Sequence, residues 1–394
     1  DCALSRAPHA VRPQHGGQLV SAEDYADIDQ VLSALRHGQT CLLLNEHSAG
    51  GMTGFVVVSA EHCEADHIAF MARQARGLIC LAMTRARCAE LDLPLMVEGD
   101  ESLSPFTLSI EAATGIDTGI SAADRARTVR VAVDPASRSA DLVQPGHIFP
   151  IAAASGGVLT RTAPAEAAID LATLAGLSPA AVFTEVLDGE GAVADAPFLS
   201  DFATRHELVV GRVSDLVTYR LANQKTVTVQ RQGILESRFG RFEMRAYQDA
   251  THGRVHLALS KGVIDASSPT LVRVHVTAVL RDLIGTSLDG VASWSLDASL
   301  TAIAEADAGV LVLLSKPELP EDLMHDIDRL LGDTEVDPSP GTEGYNEIGM
   351  GAQILRDLGV GQIQLLASPT KYNALAGFGL EVVEFISPGD PEHN

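Results

Sequence analysis

The chain has 394 residues, a formal net charge of -24 and a hydrophobic fraction of 46%. Two domains of ordinary size fit that length, and an aromatic fraction of 4% leaves Ala, Val, Leu and Ile to build the cores. So acidic a surface repels nucleic-acid phosphate and anionic membrane, and neither is expected as a partner. Cys2, Cys41, Cys63, Cys80 and Cys88 form no CxxC pair, which implies reduced thiols and a cytoplasmic location. No export signal and no apolar run of membrane-spanning length is visible.

Residues 1–23 are polar, with Pro and Gly, and read as a loose arm. Ile28, Val31, Leu32 and Leu35 recur at helical spacing, and Thr40 to Leu44 reads as a buried strand. Ala60 to Arg76 is expected as one helix capped by Ser59. Strands are expected at Leu78 to Met83 and at Phe106 to Ile110, and a helix starts at Ser121. Ala163 to Ala175 is helical and ends at Gly176, and Ala181 to Leu187 is a strand. A break falls at 221–226. Beyond it, Val227 to Arg241, Val255 to Leu259 and Leu271 to Val276 alternate like half-buried strands. Leu300 to Ala306 and Glu321 to Leu331 are helical, and Asp333 to Asn346 reads as a loop.

Four blocks carry a family resemblance in order: FMARQARGLICLAMTRARCAELDLPLMV (70–97), FTLSIEAATGIDTGISAADRARTVR (106–130), QPGHIFPI (144–151) and EAAIDLATLAGLSPAAVFTEVL (166–187). Together they resemble 3,4-dihydroxy-2-butanone 4-phosphate synthase. FGRFEMRAY (239–247), VRVH (272–275), IGMGAQILRDLGV (348–360) and GFGLEVVEFISP (377–388) resemble GTP cyclohydrolase II. The domain order is that of the bifunctional riboflavin-biosynthesis family RibBA. The resemblance implies an α+β fold. A mixed-sheet synthase-like domain with flanking helices (24–220) precedes a linker (221–226) and a smaller α/β cyclohydrolase-like domain (227–394). It also implies a homodimer with the site at its interface.

The synthase family converts ribulose 5-phosphate to a four-carbon phosphate and formate, with a divalent metal polarising oxygens and carboxylates moving protons. Where the family has an acidic DRENEGD loop, this chain has Ser48 to Gly54, without a carboxylate. Glu46 and His47 precede it. Where the family has GHTEA, it reads APAEA, with Pro164 at the histidine position. No metal is therefore expected at the family position, and no cofactor. Other matching positions remain. Glu185, His147 and Cys80 are candidate catalytic residues, and Arg161, Thr118, Ser121, Asp124, Glu166 and Asp117 are candidate pocket residues. Each also has a plain structural reading: Cys80 as core, Ser121 as helix cap, His147 as turn residue, Arg161 as partner of a carboxylate.

In the second half, Ala278, Asp289 and Val291 stand where the cyclohydrolase family has zinc-binding cysteines, and His275 with Asp289 cannot rebuild such a site. LSKPELPE (314–321) lacks the arginines of the matching family segment. Lys371 reads as a surface residue. GTP cyclohydrolase activity is not expected.

These losses suggest a repurposed enzyme of secondary metabolism acting on a small, sugar-phosphate-like substrate. A second reading is a non-catalytic scaffold or regulator that binds a partner protein or a riboflavin-pathway metabolite. A third is the ordinary synthase reaction with substitute ligands.

Overall fold

The computed structural model describes residues 25–46, 51–97, 105–277, 279–286, 294–315, 320–331, 342–367 and 378–388. The arm 1–23, His47 to Gly50, Ala278, Asp289, Val291 and Lys371 lie outside them.

The first half contains α1 (Ile28–Arg36), β1 (Cys41–Glu46), β2 (Met52–Ser59), α2 (Ala65–Phe70), β3 (Cys80–Thr84), α3 (Arg85–Glu90) and β4 (Ile110–Ala112). It continues through α4 (Ala122–Val133), β5 (Leu142–Ala153), α5 (Pro164–Leu174), β6 (Ala180–Glu185), α6 (Ala196–Arg205), β7 (Val209–Arg212) and α7 (Val213–Asn223). Its seven strands form a mixed sheet in the order β4-β5-β3-β6-β2-β1-β7. β3 runs parallel to β5, and β1 to β7, while β6 is antiparallel to both β2 and β3.

The second half contains β8 (Val227–Ser237), β9 (Gly240–Asp249), β10 (Val255–Lys261), β11 (Pro269–Val276), α8 (Leu296–Glu305), β12 (Gly309–Leu314) and α9 (Pro320–Leu331). α10 (Thr342–Asp357), β13 (Gln362–Leu366) and β14 (Glu381–Ile386) complete it. These strands make a second mixed sheet, β14-β13-β11-β12-β10-β9-β8.

Alternation explains why the strands read as continuous apolar runs. In β1, Cys41 and Leu43 enter one core while Leu42 and Leu44 enter another. Phe55 and Val57 of β2 divide from Val56 and Val58 in the same way. A sheet covered on both faces requires apolar residues at every position. α2, α4 and α6 cover its outer face. α1, α5, α7 and α10 lie between the two sheets and share one core with Tyr247, Ala258, Val272 and Val310 of the second sheet. α8 closes that sheet's far face around Ile303 and Trp294.

The capping box of Asp27 and Gln30 fixes the start of α1, and its Ile28, Val31, Leu32 and Leu35 are buried. The expected helix from Ala60 to Arg76 is instead a 3-10 turn capped by Ser59, then α2, then a π turn that ends on left-handed Arg76. The break falls at Cys63, which has extended backbone and a side chain buried in the outer core. The expected strand at Phe106 to Ile110 is reduced to single bridges at Phe106 and Thr107 before β4. Thr107 N donates to Pro150 O, and proline has no N–H to return. Within the segment expected as a loop, residues 342–346 instead open α10.

Candidate functional site

A cavity of about 470 Å³ opens where β2, β3 and β6 meet the start of α5. Phe55, Phe106, Phe183 and Ile151 give it apolar walls, and Cys80, Arg161, Glu166 and Glu185 bring chemistry to it. Strand register explains the gathering, since Phe55 lies opposite Glu185 and Cys80 opposite Phe183. Gly77 permits the approach, because a Cβ there would strike the backbone oxygen of Glu185.

Glu166 sits in the first turn of α5, fully buried. Its Oε1 accepts from Ala154 N at 2.8 Å and from Arg161 Nη2 at 2.5 Å. Its Oε2 has no hydrogen-bond partner among the described residues, nor has Arg161 Nε. A buried carboxylate oxygen without a donor is costly unless a ligand hydroxyl, amine or cation completes it. Cys80 forms part of the wall, and burial pushes its thiol up to about 12, so it is present as a neutral thiol. Burial likewise pushes Cys41 and Cys63 up to about 12 and Cys88 up to about 11.

The remaining sequence-predicted residues form a second group. Ser121 Oγ accepts from Asp124 N at 3.1 Å and caps α4. Asp124 accepts from Gly119 N at 3.0 Å and Asp117 N at 3.4 Å, closing the turn that contains Thr118. Burial raises the Asp124 pKa, but these hydrogen bonds outweigh it and hold the carboxyl below its usual value. His147 Nδ1 meets Glu111 Oε1 directly. Left-handed Gly119 lies against that same glutamate, where a Cβ would collide with the carboxylate. His147 stands four residues before Ile151, beside the irregular pairing of β4 with β5, and is not in the cavity lining. Cys80, Arg161, Glu166 and Glu185 therefore share the cavity, while Thr118, Ser121, Asp124 and His147 stand together outside its lining.

Sequence reasoning missed Glu111, although an acid between Ile110 and Ala112 is itself a signal. It also missed the buried Asp170–Arg220 pair behind the cavity loop, with Arg220 Nη1 2.7 Å from Asp170 Oδ2. In the second half, buried His275 is engaged by Asp282, Nε2 to Oδ1 at 2.9 Å. Among the described residues, no three His, Cys, Asp or Glu side chains converge as a metal cage. No helix among them is long and apolar enough to cross a membrane.

Two family models match the chain: 3,4-dihydroxy-2-butanone 4-phosphate synthase over residues 29–219 and GTP cyclohydrolase II over residues 228–387. A 3,4-dihydroxy-2-butanone 4-phosphate synthase of Pseudomonas syringae pv. tomato is 44% identical over 361 residues, covering 91% of this chain and 98% of that protein. The riboflavin biosynthesis protein RibBA of Synechocystis is 39% identical over 375 residues, covering 91% of this chain and 66% of that protein. The crystal structure of RibBX, a two-domain 3,4-dihydroxy-2-butanone 4-phosphate synthase from A. baumannii, matches with a TM-score of 0.78 at 37% identity, over 93% of this chain and all of that one.

Two expectations are corrected. The repurposed enzyme of secondary metabolism, with its scaffold alternative, gives way to the synthase name borne by relatives that match both halves. In a two-domain synthase such as RibBX, a second domain of this kind accompanies the synthase rather than marking its loss. The expectation of no metal is corrected by membership of the family matched over residues 29–219, whose reaction uses a divalent metal.

Proposed function

The chain belongs to the 3,4-dihydroxy-2-butanone 4-phosphate synthase family, with a GTP cyclohydrolase II-family domain behind the synthase domain, and from that premise we propose that its first domain works at the synthase step of riboflavin biosynthesis. The observation that carries this is the cavity, where Arg161, Glu166 and Glu185 meet on apolar walls. Its substrate on this reading is a small phosphorylated ketose, ribulose 5-phosphate, cleaved to a four-carbon phosphate and formate.

The residues divide the work. Arg161, held by Glu166, presents fixed donors to the substrate's oxygens. Glu185, exposed at the end of β6, moves protons next to the carbonyl. The phenylalanines exclude water, and Cys80 is a neutral wall. A magnesium ion is commonly held by only one or two carboxylates, its other positions going to water and substrate. The unpartnered Glu166 Oε2 fits that requirement as one such carboxylate, even though no three-residue cage is present among the described residues. Bound there, the ion would polarise the substrate's oxygens.

The group of His147, Thr118, Ser121 and Asp124 is read as serving a partner chain's cavity in a homodimer. In support, His147 is half-exposed, and Leu78, Leu108, Ile120 and Val143 are exposed apolar side chains of the same domain. The buried, unpaired thiols fit a cytoplasmic protein. Ala278, Asp289 and Val291 at the positions of the family's zinc-binding cysteines support a second domain without cyclohydrolase chemistry.

The test is formate release from ribulose 5-phosphate with added magnesium. We expect turnover that chelation stops and that Glu185→Gln lowers by about 10²-fold or more. A folded protein that releases no formate, with or without magnesium, would refute the synthase reading.

A further inference from the structure

The loop between β5 and α5, residues 154–163, carries Arg161 and leads into Glu166. Its conformation is held from behind. Arg220 of α7 donates through Nη1 to Gly156 O at 2.7 Å and to Asp170 Oδ2 at 2.7 Å. Asp170 Oδ2 in turn accepts from Val158 N at 2.8 Å. The other edge of the guanidinium is also fixed, since Nε and Nη2 both donate to Gln224 Oε1, at 3.1 and 2.8 Å. One arginine thus clamps the loop on one side and the end of α7 on the other.

The end of α7 is held by the second domain. Gln353 of α10 is buried, and its Nε2 donates to Leu221 O at 2.6 Å and Gln224 O at 2.9 Å. Its Oε1 accepts from Thr226 N at 2.8 Å and Thr226 Oγ1 at 3.1 Å. All of its hydrogen-bonding capacity serves the 221–226 connection. A second arm comes from the turn after β9. Asp249 Oδ1 fixes Thr251 N at 2.7 Å, and a Cβ on Gly156 would lie 3.2 Å from the Thr251 methyl, so that turn rests on the loop itself.

We propose that the second domain is a brace for the cavity loop, with Gln353, Gln224 and Arg220 as positioning residues for Arg161 and Glu166. The inference rests on the cavity being the substrate site. It gives the cyclohydrolase-like domain a task that needs no chemistry of its own: holding the 154–163 backbone through Gln353, Gln224 and Arg220 in series.

Hydrogen exchange of the full-length protein tests this without turnover. In Gln353→Ala and in Gln224→Ala, the amides of Gly157, Val158, Thr160 and Arg161 should exchange about tenfold faster, the scale of a lost hydrogen bond to a charged group. Peptides covering β1 and β2 should keep wild-type rates. Gln224→Glu retains the acceptor for Arg220 and should restore wild-type protection. Gln224 is half-buried, so its variants are expected to fold even where Gln353→Ala does not. With ribulose 5-phosphate, Gln224→Ala should raise KM about fivefold or more with a smaller change in kcat, because Arg161 would be less well placed to bind. Unchanged loop exchange in both alanine variants would overturn the brace. Acceleration spread equally over β1 and β2 would also overturn it, since that is loss of global stability. If the loop loosens as expected but wild-type protein releases no formate, the brace stands and the synthase reading falls.

Discussion

At the scale of single residues, the site depends on one buried charge. Glu166 is fully buried, and Arg161, about a quarter exposed, is the cation beside it. A half-buried pair is worth more than a surface pair and less than a fully buried one. Removing the cation strands the carboxylate with only Ala154 N, so Arg161→Ala should cost about 2 kcal/mol. Urea denaturation reads this directly, and Arg161→Lys should recover part of the loss. A change of a few tenths would mean that water replaces the lost donor to Glu166. Both residues were legible in the sequence because Arg161 stands just before the APAEA stretch that contains Glu166, where the family resemblance implies a pocket arginine and an acid. Glu111 was not, since its partner His147 is 36 positions further along and only the pairing of β4 with β5 brings them together.

At the scale of elements, the second sheet contains two buried histidines, His256 in β10 and His275 in β11. Burial lowers both pKa values, and Asp249 and Asp282 only partly oppose it. The unfolded chain therefore binds protons that the folded chain refuses. Their contribution is complete above the unfolded value of 6.5 and is lost as pH falls from there toward the lower folded values. The urea midpoint should drop between pH 7.5 and 5.5, and less steeply in His275→Gln. Parallel slopes in the two proteins would show that His275 does not titrate on unfolding. Strands such as these were legible from alternation alone. The π turn at Met71 to Ala75 and the interrupted pairing at Phe106 were not. The second follows from Pro150, which has no N–H to return to Thr107, and local periodicity does not encode a partner strand's missing donor.

At the scale of the whole molecule, the two halves share a core. Leu216, Val217 and Leu221 of α7 belong to the same apolar cluster as Met350, Ile354 and Leu355 of α10. Gly349 passes so close over Leu221 that any side chain there would collide with it. The linker expected at 221–226 is therefore no free tether, as Thr226 is buried and bonded to Gln353. Cutting the chain after residue 226 would expose this face of α7. Each fully buried leucine or valine left in water forfeits about 1.5–3 kcal/mol, and three of them approach the whole stability of an ordinary domain, about 5–15 kcal/mol. A chain ending at residue 226 should then melt well below the intact protein and self-associate on size-exclusion chromatography. Leu221→Gln in that fragment removes one of the newly exposed apolar side chains, so it should reduce association without restoring the melting temperature. A fragment that stays unassociated and melts with the intact chain would mean that the shared apolar cluster adds little to the first domain. The second domain's influence on the cavity would then have to run through hydrogen bonds alone.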